Sequence, residues 1–240
     1  MEALGIPGTH GEVLCVIGAR GGSRSLVRKN LRHLGGIALA AHTFRQAMRI
    51  FDNVVLSTDD DEIADLGRSE GLRVPFRRPA SLASDAAAKV PVIRHAALEI
   101  ERLDSHQFPI VVDLQVTTPL RSDEDVVGAL EYFVALGDAE NVITVTPSAS
   151  NPYFNQVELD DGRMRLIASK TTVPLRRQDA PEVYSINGAA YIWSRQALLE
   201  DDRVVRPNSY AFVMPNRRSI DIDSEFDLAL AEFLLARETA

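Results

Sequence analysis

Five short, largely apolar runs, Val13–Ile17, Asn53–Ser57, Ile110–Leu114, Asn141–Thr146 and Gly188–Trp193, constrain this chain more than any other feature. Runs of this length, rich in Val and Ile and with few polar breaks, are what strands look like when both faces are buried. Such strands belong to sheets covered by helices on either side. The stretches between them have helical spacing. Ala38–Ile50 places Leu39, His42, Thr43, Ala47 and Ile50 at helical intervals. Asp61–Gly71 carries acids in its first turn and a glycine stop. Pro91 suits the first turn of a helix running to Leu103, and Ser122 opens another to Leu136. Asp223–Arg237 closes the chain with Phe226, Leu230, Phe233 and Leu234 on one stripe, read as core. Two further strands are expected at Leu72–Phe76 and Tyr210–Met214. This alternation predicts an α/β fold with a doubly wound, mostly parallel, Rossmann-like sheet.

A length of 240 residues fits one α/β domain, expected over residues 12–240 after a loose glycine- and proline-bearing leader at 1–11. Residues 147–183 break the pattern: they hold Pro147, Pro152, Pro174 and Pro181 and a hairpin signal at Asp160-Asp161-Gly162. Ordered excursions of that length usually serve a site or an interface, so this one is read as a dimerisation or active-site arm. The net charge of −8 argues against a general nucleic-acid binder. Cys15 is the sole cysteine and lies in the first apolar run, so it reads as a small core residue and excludes an intrachain disulfide. No run reaches the roughly twenty apolar residues of a membrane helix. A cytoplasmic protein is expected, with no membrane partner.

In open α/β sheets ligands bind beyond the carboxyl ends of the strands, so the loops there carry the chemistry. The first is Ala19-Arg20-Gly21-Gly22-Ser23-Arg24, followed by Arg28-Lys29-Asn30. Glycines allow close approach of an anion to the backbone, and Arg20, Arg24, Arg28 and Lys29 place four cations within ten residues. The spacing is neither that of Walker A nor that of the dinucleotide fingerprint. At the other end of the chain, Asp221-Ile222-Asp223 puts two carboxylates two residues apart, on one side if the segment is extended, where they could share a hard cation such as Mg²⁺. Capping of the last helix by Asp223 is the alternative.

Taken in order, these segments, with Arg78-Pro-Ala-Ser-Leu-Ala-Ser-Asp85, Leu114-Gln-Val-Thr-Thr-Pro-Leu-Arg121, Asn187-Gly-Ala-Ala-Tyr-Ile192 and Ser219-Ile-Asp-Ile-Asp-Ser-Glu-Phe-Asp-Leu228, resemble the acylneuraminate cytidylyltransferase family over nearly the whole chain. The resemblance implies a nucleotide-diphospho-sugar transferase-like fold and transfer of CMP from CTP to an acidic acceptor with release of pyrophosphate. The acceptor implied is a nonulosonic (sialic-type) or related 2-keto-3-deoxy sugar acid. It assigns Arg20, Arg24, Lys29 and Asp221 to catalysis. Ala19, Arg20, Gly21, Gly22, Ser23, Arg24, Lys29, Asn30, Ala83, Ser84 and Asp85 fall to the nucleotide. Gln115, Arg176, Arg177, Gln178, Asn187 and Gly188 fall to the acceptor, and Asp221 and Asp223 to Mg²⁺. It also implies a homodimer. Three departures stand out: Arg24 where the family usually has Lys, Val116 in place of a usual proline, and Ser185 where sialic-acid members commonly carry Arg. They keep two alternatives open, a small phosphonate or phosphorylated acceptor and a non-catalytic nucleotide-binding dimer. His33, His42 and His95 offer no dedicated general base.

Overall fold

The computed structural model describes residues 11–23, 26–168 and 174–238. Arg24, nearly all of the expected leader and residues 169–173 of the expected arm lie outside them. Six strands form the central sheet in the order β10 (Ser209–Val213), β6 (Asn141–Pro147), β9 (Tyr184–Ser194), β5 (Ile110–Gln115), β1 (Val13–Gly18), β4 (Asn53–Ser57). β1 is parallel to β4 and β5, and β10 is parallel to β6, whereas β9 runs antiparallel between β5 and β6. The sheet is therefore mostly parallel, as the apolar runs predict.

Side-chain alternation explains the two-sided burial. From β1, Cys15 and Ile17 enter a core shared with Phe44, Ala47 and Ile50 of α1 (Leu39–Ile50) and with Val126, Ala129 and Phe133 of α4 (Asp123–Leu136). Leu14 and Val16 enter the opposite core, against Val90, Ile93 and Ile100 of α3 (Lys89–Asp104) and Leu198 of α5 (Arg195–Glu200). Burial of the Cys15 thiol in the first of these cores pushes its pKa far up and keeps it inert. A third cluster joins α6 (Glu225–Glu238) to Leu26, Leu34, Leu39 and Ile222.

Capping follows the sequence. The Asp60 carboxylate accepts from Ile63 N at 3.0 Å to open α2 (Asp61–Ser69), and Ser122 and Asp125 form a reciprocal capping box on α4. Ser122→Ala is expected to lower stability by about 1 kcal/mol in denaturant unfolding, with no change in activity. An unchanged midpoint would mean that the Asp125–Arg218 ion pair, at 2.7 Å, holds that turn without the cap.

Two expectations fail on packing. Residues 72–76 contribute a single bridge, Arg73 to Val55, and no strand. The chain instead turns inward, with Arg78 N donating to Thr58 O at 2.8 Å, so Arg78 rather than a strand fills this place. The α6 stripe is only half right: Leu234 packs against the third core and Leu230 is half-buried, but Phe226 is 75% and Phe233 53% exposed, while Leu228 and Ala231, outside the stripe, are buried. Gly35 sits against Leu235, so close that a Cβ there would lie 2.6 Å from Leu235 Cδ2. In the expected arm, β7 (Val157–Asp160) and β8 (Arg163–Leu166) form the hairpin that Asp161-Gly162 signals; both turn residues have positive φ. Among the described residues no helix is long and apolar enough to cross a membrane.

Candidate active site

Gly18, the last residue of β1, pairs with Ser57 of β4 on one side and Gln115 of β5 on the other, so three carboxyl ends open at one edge of the sheet. A cleft of about 530 Å³ lies there, lined by Arg20, Gly22, Ser23, Lys29 and Asn30 from the first loop, and by Arg78, Asp85, Lys89, Asp113, Gln115, Thr117 and Asp223 from elsewhere. In this way the chain brings the basic loop, residue 85, the Gln115 strand end and the distal aspartates to one place.

The loop after β1 is tied down by acids. Gly21 N donates to Asp59 Oδ1 at 3.1 Å, and a Cβ on Gly21 would fall 2.5 Å from Asp60 Oδ2, so this position tolerates only glycine without rearrangement. Arg28, in the left-handed region at φ 55°, turns its guanidinium onto Asp60 (2.8 Å) and Glu62 (2.6 Å), away from the cleft. Arg20 pairs with Asp85 at 2.8 Å, and Lys29 Nζ reaches Asp223 Oδ1 at 2.7 Å. Asn30 Nδ2 donates to Arg20 O at 2.8 Å, while its buried Oδ1 has no partner among the described residues. Buried polar atoms are nearly always bonded, so an unpaired one on a cleft wall marks a place for a ligand donor.

Opposite the loop, a bulge in β9 shifts the pairing with β6 between Ile143 and Val145 and turns Gly188 to φ 70°. A Cβ there would lie 2.5 Å from the Gln115 side-chain amide and 3.8 Å from Asp221 Oδ2. Gly188, Gln115 and Asp221 thus meet at this end. Ile222 is buried in the α6 core, so its neighbours Asp221 and Asp223 point the other way, although the segment is irregular and forms no strand. Asp221 is exposed as a residue, yet its carboxyl is packed among protein groups. That burial raises its pKa; the Thr117 hydroxyl lowers it, the like charge of Asp223 raises it, and Lys29 and Lys89 lower it.

Other expected residues fall elsewhere. Ala19 is buried and donates its N–H to Ser57 O at 3.0 Å. Ala83 closes a short 3₁₀ turn, Ala80–Leu82, and Ser84 is exposed, its carbonyl accepting from Ala87 N at 3.1 Å. Asn187 does not reach the cleft: it is buried, donating to Ser219 Oγ at 2.9 Å and accepting from Thr144 Oγ1 at 2.7 Å and Ala189 N at 3.1 Å. Those bonds build the bulge that presents Gly188. Arg176 pairs with Asp179 at 3.2 Å, Arg177 donates to Ala149 O at 3.2 Å, and Gln178 is exposed; none of the three lines the cleft. No histidine lines it either, and His42 is bonded to Leu34 O at 2.9 Å. Four polar residues of the cleft were given no role by the sequence: Arg78, Lys89, Asp113 and Thr117. Arg78, next to Gly18, donates from Nε to Ser57 Oγ at 3.1 Å, and burial lowers its pKa. Its signal was the arginine pair before Pro79. Thr117 lies in the 114–121 segment quoted above, while Lys89 and Asp113 gave none.

A glycine-rich cationic loop at a strand's carboxyl end, facing paired aspartates across a cleft in a mostly parallel sheet, defines a nucleotidyltransferase-type enzyme. Residues 14–230 match the cytidylyltransferase family. Post-translational flagellin modification protein B of Campylobacter coli is 40% identical over 226 residues, covering 93% of this chain and 95% of that protein. The CMP-N,N'-diacetyllegionaminic acid synthase of Campylobacter jejuni is 41% identical over 227 residues, covering 94% and 95%. In fold, the chain is similar to the solved structure of CMP:2-keto-3-deoxy-manno-octonic acid synthetase complexed with CTP, with a TM-score of 0.70 at 16% identity, covering 95% of this chain and 99% of that one. The chain belongs to the cytidylyltransferase family.

Proposed function

We propose that the protein transfers CMP from CTP to a nonulosonic (sialic-type) or related 2-keto-3-deoxy sugar acid. The observation that carries this reading is the single cleft in which Lys29 of the basic loop meets Asp223 while Asp221 stands beside Gly188 and Gln115. The sugar-acid names of its relatives support the acceptor class. In the reaction the acceptor hydroxyl oxygen forms a bond to the α-phosphorus of CTP, the bond from that phosphorus to the bridging oxygen breaks, pyrophosphate leaves and the hydroxyl proton is released.

The basic loop serves the triphosphate: Arg20 and Lys29 exchange their carboxylate partners for phosphate oxygens, and Gly22 and Ser23 line its path, with Arg24 assigned by resemblance. Asn30 Oδ1, the buried acceptor without a partner, suits a donor on the nucleotide. The 83–85 turn borders the nucleoside through Asp85, which ties Arg20 in place.

Among the described residues no group of three His, Cys, Asp or Glu side chains is placed to hold a metal. Two hard carboxylates nevertheless suit Mg²⁺, which takes one or two carboxylates and completes its shell with water and substrate phosphate. The Lys29 ammonium on Asp223 already marks a cation position. Asp221 and Asp223 would hold the ion, which supplies charge neutralisation at the reacting phosphate. The chain's own contribution is positioning: the β9 bulge and Gln115 fix the acceptor end, and the loop fixes the donor.

The exposed apolar side chains of the arm, Leu159, Met164, Ile167 and the 90% exposed Leu175, suit a homodimer interface, and the cytoplasm, where CTP is made, suits the activity. Sedimentation is expected to give a dimer.

The deciding experiment incubates the protein with CTP, Mg²⁺ and a panel of acceptors, including N,N'-diacetyllegionaminic acid, other nonulosonic acids and small phosphonates, and follows pyrophosphate. Release with a sugar acid is expected; release with a phosphonate alone, or with no acceptor tested, overturns the reading. Gly188→Ala is expected to raise the acceptor KM by about 10- to 100-fold while leaving the CTP KM unchanged, because its methyl group must displace the Gln115 amide. An equal effect on both KM values would place Gly188 outside the acceptor end.

A further inference from the structure

Lys89 begins α3 and lines the cleft. Its ammonium lies 2.6 Å from Asp113 Oδ2, a carboxylate buried in the middle of the sheet, and 4.1 Å from the centre of the Tyr191 ring. Of the two orientations of the Gln115 side-chain amide, the one that satisfies both ends puts its oxygen toward Lys89 Nζ and its nitrogen toward Gly188 O at 3.2 Å. The ion pair is therefore an anchor built under the same Gln115–Gly188 corner that Asp221 borders.

The distribution of charge gives this anchor a purpose. The cleft is lined by Asp85, Asp113 and Asp223, with Asp221 at its rim, and its donor substrate is a triphosphate. An acidic acceptor entering at the Gln115 end meets a negative field unless a cation stands there. Arg20 and Lys29 belong to the loop side, and Arg78 is buried against Ser57. Lys89 stands at the Gln115 end, on Asp113, and Asp221 feels the charge of both lysines, Lys29 from the loop and Lys89 from α3. An ammonium has three N–H donors; Asp113 and Gln115 take two, which leaves one for a ligand.

We propose that Lys89, held in place by Asp113, is the acceptor-side cation of the cleft and pairs with the carboxylate of the sugar acid. This assignment rests on the sugar-acid reading above and names the group that selects an acid over its neutral analogue. Asp113 fixes the position and Lys89 makes the contact. The pair also explains why a carboxylate interrupts the apolar run of β5.

The test compares the best sugar-acid acceptor of the panel with its methyl ester at saturating CTP. Lys89→Met alone leaves Asp113 buried and unpaired, so the pair is removed together as Lys89→Met/Asp113→Asn. The double variant is expected to raise the KM for the acid by about 10- to 100-fold, the range for a lost charged hydrogen bond, with the KM values for the ester and for CTP within twofold of wild type. Lys89→Arg is expected to keep most of the preference for the acid. Equal losses on acid and ester, or an unchanged KM for the acid, overturn the assignment while the function stands. If the wild type turns over no sugar acid at all, the function reading falls and this assignment falls with it.

Discussion

Lys29→Ala is expected to lower kcat/KM for CTP by about 10²- to 10³-fold, the usual loss when one well-placed charge-stabilising group is removed from a transfer reaction. Lys29 is the loop cation best placed for this. Its side chain is 13% exposed, it extends from a short 3₁₀ turn, Lys29–Leu31, and it already crosses the cleft to Asp223 at 2.7 Å. A bound triphosphate would give the ammonium a stronger partner and would free Asp223 for the proposed divalent cation. Replacement by alanine removes the charge where negative charge builds on the leaving pyrophosphate. Stability should hardly change, because Asp223 is 67% exposed and a pair of that kind is worth at most about 1 kcal/mol. Pyrophosphate release and a thermal melt of the same preparation check both halves. Lys29→Arg should recover part of the rate, as charge returns with a different shape. Rates near wild type in the alanine variant would remove the loop from the reaction.

The parts of this site legible in the sequence were those in which one short segment contains its own explanation. Val13–Ile17 alternates between two cores, so its apolar run was enough to make it a strand, and the loop after it carried glycines and cations in a row. Ser122 and Asp125 cap a helix three residues apart, and Asp161-Gly162 turns a hairpin by local conformation. The readings that failed needed a partner distant in sequence. β9 looks like any other buried strand, and its reversed direction depends on its insertion between β5 and β6. Residues 72–76 have strand composition but lose to Arg78, which is drawn in by Ser57 and Thr58. The buried face of α6 is the one on which Leu228 and Ala231 meet Leu26, Leu34 and Leu39, all far away in sequence.

The same distinction runs through the site. Asn187 sits in a recognisable motif, but its amide is consumed by Thr144 and Ser219, and the residue it presents, Gly188, is the one that faces the cleft. Arg176 and Arg177 carry the right charge for an acid, yet they bond within the arm. Lys89 and Asp113, separated by 24 positions, gave no signal because a lysine at a helix start and an aspartate in an apolar run mean little until they meet.

Asp221→Asn is expected to lower kcat by about 10³-fold and to weaken equilibrium Mg²⁺ binding in the presence of CTP, since a cation clamp on a reacting phosphate is worth several kcal/mol. Asparagine keeps the size and the oxygen that can accept from Thr117, so the fold and the edge of the cleft persist. What it loses is charge, at a carboxyl whose surroundings resist ionisation. Burial and the neighbouring Asp223 raise the pKa of Asp221, and a divalent cation held by the proposed pair would offset that penalty on its charge. Asp223 is more open and already compensated by Lys29, so Asp223→Asn should cost less than Asp221→Asn. That ordering separates a metal pair from a simple helix cap: a cap at Asp223 would make its replacement a matter of stability, while Asp221 would be nearly silent in turnover. Metal titrations of both variants with CTP present, together with their melting temperatures, give the answer. If Asp221→Asn stays within tenfold of wild type in kcat, the aspartate pair does not hold the metal, and the charge on the reacting phosphate must be met by the lysines that flank it.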